Sequence, residues 1–138
     1  MKATTLSLFT LLLAAMLLNA CTAQRRFSSR LKGEWRIARF EEQSHTGSSS
    51  VLENAGTISF GKRGEGYQTF TSALTLGGAP AAGSFTWQHT AQTVSIKGVA
   101  DAYFKVWMVM ESKRNRQHWR STDSFGNVQV LDLERKRE

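Results

Sequence analysis

The chain has 138 residues, with 18 Lys+Arg against 11 Asp+Glu, a formal charge of +7, one Cys and one Pro. That length holds one ordinary domain, and 41% hydrophobic with 21% charged residues excludes a wholly disordered chain, a collagen repeat and a disulfide-stapled miniprotein. The basic balance invites a nucleic-acid reading, which the placement of the cations along the chain then tests.

Met1-Lys2 opens a positively charged start, and an apolar run follows from Leu6 to Leu18, interrupted by Ser7 and Thr10. A bilayer-spanning helix needs about 20 apolar residues. This shorter run has the layout of a cleaved export signal, so residues 1–20 are expected to be removed. Leu18-Asn19-Ala20-Cys21 resembles the lipobox of bacterial lipoproteins. That resemblance implies a lipidated Cys21, a chain held on a membrane by acyl groups, and an address in the bacterial cell envelope. No Asp or Glu run follows Cys21, which favours the outer membrane with the domain facing the periplasm.

Residues 21–30 are polar, basic and aperiodic, and are expected to form a lipidated tether. Arg25, Arg26, Arg30 and Lys32 lie in it or beside it, placed to meet anionic head groups or simply solvated. Without Lys2 the chain keeps 17 cations, and the part beyond Lys32 is nearly neutral, 13 cations against 11 acids. The basic pI thus describes mostly the arm, and nucleic acid falls away as a partner.

From Leu31 onward the pattern has period two, broken by Gly, Ser and Asn. It predicts strands near 33–41, 56–61, 66–73, 83–89, 92–98, 102–111, 116–122 and 127–135. A longer loop is expected at Ser44 to Asn54, with one helical turn around Ser50 to Glu53. Eight short strands without a long helix indicate an all-β domain over residues 31–138. An eight-stranded antiparallel up-and-down β-barrel is the expected architecture, because closure removes exposed edges.

Leu31-Lys32-Gly33-Glu34-Trp35-Arg36-Ile37, Ile58-Ser59-Phe60 with Gly64-Glu65-Gly66-Tyr67, Gly83-Ser84-Phe85-Thr86-Trp87 with Val94-Ser95-Ile96, and the ending Val130 to Arg135 resemble the lipocalin-like lipoproteins of Gram-negative bacteria, of the Bacteroidetes type. The resemblance implies that Trp35 closes one barrel end and that Arg135 packs over it, a structural pair. It also implies a cavity for a small hydrophobic ligand.

A barrel of eight strands is wide enough for packed side chains or one small ligand. Tyr67, Phe85, Trp87, Phe104, Val106, Met108 and Trp119 are the candidate lining. Either a ligand sits among them or they pack the barrel solid; the sequence leaves both open. In Tyr103 to Met110 both faces are apolar, so Trp107 and Val109 are expected to face outward against the arm, the Ser44–Asn54 loop or an envelope protein. Arg116, His118 and Arg120 should share a face opposite Gln117 and Trp119. His45, His89 and His118 are far apart and no Cys remains in the domain, so neither a metal nor another cofactor is expected. No nucleophile elbow is present, and the chain is read as a non-catalytic binder, with a packed barrel docking to an envelope complex as the alternative.

Overall fold

The computed structural model describes residues 22–70, 82–98 and 104–137, with the side chain of Phe104 left out. The export signal 1–20 and the lipidation site Cys21 lie outside the described residues. Eight strands follow in order: β1 (Gly33–Gln43), β2 (Ser49–Phe60), β3 (Glu65–Phe70), β4 (Ala82–His89), β5 (Thr93–Gly98), β6 (Phe104–Ser112), β7 (Arg116–Thr122) and β8 (Val128–Arg135). Each pairs antiparallel with the next, and β1 pairs with β8 to close the barrel. The up-and-down barrel expected from the period-two pattern is the fold.

Two departures are instructive. β2 begins at Ser49, where a loop with a helical turn was expected. The alternation is hidden there because β1 and β2 slip register between Ile37 and Arg39. The slip is absorbed by Asn54 (φ 52°) and Gly56 (φ 143°), both in left-handed backbone. A side chain at Gly56 would run into the Thr69 carbonyl of β3. The bend lets β2 continue as the partner of the far half of β1.

The second departure is the arm. Residues 22–31 form a helix, α1, and not a solvated tether. Phe27 and Leu31, one helical turn apart, are 5% and 0% exposed. A single apolar pair in ten residues is too short a pattern to read as periodicity, and tertiary burial supplies the helix its stability. Lys32 N–H closes the last turn on the Ser28 carbonyl at 3.2 Å, and Gly33 (φ 118°) swings the chain into β1.

α1 therefore defines a helix end and a far end of the barrel. The β2–β3, β4–β5 and β6–β7 turns and the C-terminus share the helix end. The β1–β2 and β7–β8 turns belong to the far end.

Candidate functional site

The helix-end half of the interior is filled by aromatic rings. Phe60 is the hub, with ring centroids 5.6 Å from Phe85, 5.4 Å from Trp87 and 5.8 Å from Trp119, all edge-on. Trp107 lies 6.5 Å from Trp119. Three of the four indoles place their N–H on the chain itself: Trp35 Nε1 donates to the Leu31 carbonyl at 2.7 Å, Trp87 Nε1 to the Glu65 carbonyl at 3.0 Å, and Trp119 Nε1 to Gln117 Oε1 at 3.4 Å. Gln117, fully buried, gives its own amide N–H to the Lys113 carbonyl at 3.0 Å.

Trp35 and Arg135 are brought together at that end. They are cross-strand partners, and the guanidinium carbon lies 4.1 Å from the Trp35 ring centroid. Arg135 Nη1 donates to the Lys32 carbonyl at 2.7 Å and Nη2 to the Arg30 carbonyl at 2.5 Å. One side chain thus covers the ring and ties down the end of α1. Gly33 is required there, because a Cβ at that position would strike Arg135 Nη1. Burial, followed by the like charge of Arg114, pulls the Arg135 pKa down from its ordinary value.

The far half is different in kind. Phe40 (β1) and Phe70 (β3) are buried there, but so are Gln68 (β3), Lys105 (β6), Ser121 (β7) and Gln129 (β8). Lys105 is 8% exposed, its ammonium 5.2 Å from the Trp107 ring centroid. Burial lowers the Lys105 pKa, while the nearby carboxylates of Asp123 and Glu42 oppose that shift. Gln129, 2% exposed, donates from Nε2 to Glu42 Oε2 at 2.5 Å, yet its Oε1 is buried with no hydrogen-bond partner. Ser121 is satisfied, donating to the Val106 carbonyl at 2.8 Å. Asp123 is taken up by its own turn, accepting from the Phe125 and Asn127 amides at 2.9 Å and from Asn127 Nδ2 at 2.8 Å. A buried ammonium and an orphaned amide oxygen among aromatic rings are costly to leave without a partner.

This interior divides the expected lining. Phe85, Trp87 and Trp119 point inward and are 2%, 6% and 0% exposed. Tyr67, Val106 and Met108 do not line the barrel; they lie on its outer surface, 50%, 40% and 58% exposed. In β6 the faces are the reverse of the expected ones. Trp107 is 2% exposed and faces inward with Lys105, so it offers no surface to a partner protein. With both faces of β6 apolar, hydrophobicity could not choose between them, and a buried Lys is the less probable of the two assignments by composition. For Tyr67 the deciding neighbour is Gln68, which takes the inner position of β3. Phe104 belongs to β6, but its side chain lies outside the described residues.

On β7, Arg116, His118 and Arg120 share the outer face, opposite Gln117 and Trp119. His118 Nδ1 lies 2.6 Å from Asp132 Oδ1, a cross-strand pair on the outside of the wall. Among the described residues no three His, Cys, Asp or Glu side chains come close enough to hold a metal ion. No described helix is long and apolar enough to cross a membrane, which says nothing about strands.

No family profile and no curated protein matches this chain. Among solved structures it is similar to a redesigned β-barrel, at 19% identity and a TM-score of 0.51, covering 81% of this chain and 96% of that one. A de novo designed fluorescence-activating β-barrel also aligns, at 14% identity and a TM-score of 0.46, over 79% of this chain and 96% of the other. The likeness to the redesigned barrel concerns the fold alone.

Proposed function

We propose that this barrel is a non-catalytic, lipocalin-like lipoprotein of the bacterial envelope that takes up a small hydrophobic molecule through its far end. The observation that carries the reading is that Lys105, whose ammonium faces the Trp107 ring, and Gln129, whose Oε1 has no hydrogen-bond partner among the described residues, are both buried in the far half and share Glu42 as a neighbour. Gln117 and Trp119 at the other end are satisfied by the protein itself, although Ser112 Oγ there and Arg39 Nε are also buried without a partner among the described residues. A ligand with an apolar body and a hydroxyl or undissociated acid head would stack on the rings, accept from Lys105 and donate to Gln129.

Native mass spectrometry of the full chain, followed by solvent extraction, tests this. A lipid-sized adduct that is retained by the native chain and lost in Lys105→Met and Gln129→Leu is the expected result. Equal adduct in all three chains removes the assignment of the head, and no adduct in any removes the ligand. Anchoring through Cys21 predicts that Cys21→Ala moves the protein from the membrane to the soluble fraction.

A second reading has one observation in its favour. Val106, Met108 and Met110 form an outer stripe along β6, 40%, 58% and 54% exposed. Such a stripe fits an envelope protein docking on the wall. Met108→Lys with Met110→Lys would then abolish co-purification of that protein while leaving any adduct unchanged.

A further inference from the structure

The fold gathers cations from distant parts of the sequence onto the helix end. Arg25, Arg26 and Arg30 lie on α1, Lys62 and Arg63 in the β2–β3 turn, Lys113 and Arg114 in the β6–β7 turn, and Lys136 and Arg137 after β8, all of them exposed. The acids at that end are fewer: Glu34 holds Lys136 at 2.7 Å, Glu111 holds Lys113 at 2.5 Å, and Glu134 holds Arg36, while Glu65 stands beside the β2–β3 turn without an ion pair among the described residues. Arg25, Arg26, Lys62, Arg63, Arg114 and Arg137 have no carboxylate partner among the described residues. The far end has no such surplus, with Glu41, Glu42, Glu53 and Asp123 against Arg39, Lys97, Lys105 and Arg120.

A chain that is nearly neutral beyond Lys32 thus carries its cation surplus at one end of its barrel axis. The charge is a property of one face, built from α1, two hairpin turns and the C-terminal residues, and not of an arm alone. We infer that this face rests on an anionic lipid bilayer, with the far end directed away from it. Three features select a bilayer over other polyanions. The turn tips and α1 are gathered at one end of the barrel, so the cations form a face and not a single strip. Its cations come from many segments, as a flat, uniformly charged partner requires. Residues 1–21, with the apolar stretch from Leu6 to Leu18, join the fold at α1, on this same end. Exposed Lys and Arg near an anionic membrane contribute about 1 kcal/mol each, additively and in a salt-sensitive way. The inference does not depend on what, if anything, the barrel holds.

The test is sedimentation of the full chain with vesicles of phosphatidylcholine alone or with added phosphatidylglycerol. Comparing the two vesicle types removes any contribution from the apolar leader. The native chain should prefer the anionic vesicles by about tenfold or more at 0.1 M salt and lose the preference at 0.5 M. Arg25→Gln, Arg26→Gln and Arg63→Gln together should abolish most of it. Ser48→Glu, Ser49→Glu and Phe125→Glu change the net charge equally but at the far end, and should leave most of it intact. All six positions are exposed, so both triple variants should melt close to the native chain. Equal losses in the two variants would mean that net charge alone acts, and would overturn the assignment of the face. So would an undiminished preference in the helix-end variant, or retention of duplex DNA with none of the anionic vesicles.

Discussion

At the helix end of the barrel the Trp35, Trp87 and Trp119 N–H groups and the Gln117 amide have partners supplied by the protein, with Ser112 Oγ buried and unpartnered; at the far end, among the described residues, Gln129 Oε1 has none and the Lys105 ammonium meets only the Trp107 ring. The two ends share one sheet and one set of strands, so the difference lies in which residues the alternation delivers inward. β7 brings Gln117 and Trp119 inward near α1 and Ser121 toward the far end; β6 brings Trp107 and then Lys105. Large rings near α1 fill space and let Arg135 close the end over Trp35. Smaller and polar groups at the other end leave chemistry unfinished. On the proposed reading, stability and recognition are separated along the axis of one small barrel.

The comparison is broken most decisively at the helix end. Trp35 is fully buried and carries both the Leu31 hydrogen bond and the Arg135 contact. Trp35→Ala should cost about 3–5 kcal/mol, seen as a drop in Tm of well over 10 °C or as failure to fold. A Tm within about 2 °C of the native value would show that this end is not where the fold is held. Arg135→Lys is the finer cut. It keeps a positive charge near the ring but cannot reach the Lys32 and Arg30 carbonyls together, since an ammonium lacks the planar fork. A loss of about 1–2 kcal/mol is expected, together with faster amide exchange across residues 22–31 than across β1. Equal exchange in both would mean that α1 is held by Phe27 and Leu31 alone.

Period two made the eight strands readable because a barrel wall has one inner and one outer face, and Phe85/Trp87 or Val94/Ile96 announce the inner one directly. The same rule was silent on β6, where Val106, Met108 and Met110 offered as good an apolar face as Trp107 and Val109. Only the neighbouring strands decide, through Trp119 and Trp107 meeting inside. β2 was truncated because Asn54 and Gly56 look like loop residues and are in fact a bend within a strand. Of the candidate site, the sequence showed the rings but not Lys105 or Gln129. A Lys at an inner position breaks the alternation it would be recognised by, and the available signal was that reversing the β6 faces places a charge inside. α1 was missed for a related reason: two apolar residues carry a helix only when a barrel end is there to receive them. The cations told the same story in another form. Counted along the chain they belong to an arm; placed on the fold they belong to an end.

Lys105 gives the smallest predicted change and the one that opposes intuition, because removing it should stabilise the protein. Burial disfavours its charged form and outweighs the help of Asp123 and Glu42, so its folded pKa lies below the ordinary 10.5. Below that folded pKa the ammonium is present in both states and its desolvation penalty is borne in full by the native chain. Between the folded pKa and 10.5 the unfolded chain holds a proton that the native chain has released, so native stability rises with pH through that window. Lys105→Met should therefore raise Tm at pH 7 by about 3–6 °C, the shift that roughly 1 kcal/mol makes in a domain of this size. The gain should shrink as pH climbs toward 10.5. A gain in stability with a loss of bound adduct would mark Lys105 as kept for recognition at the expense of the fold. A fall in Tm would instead mean that the Trp107 ring and the two carboxylates hold the ammonium as a structural group, and the contrast between the two barrel ends would then collapse.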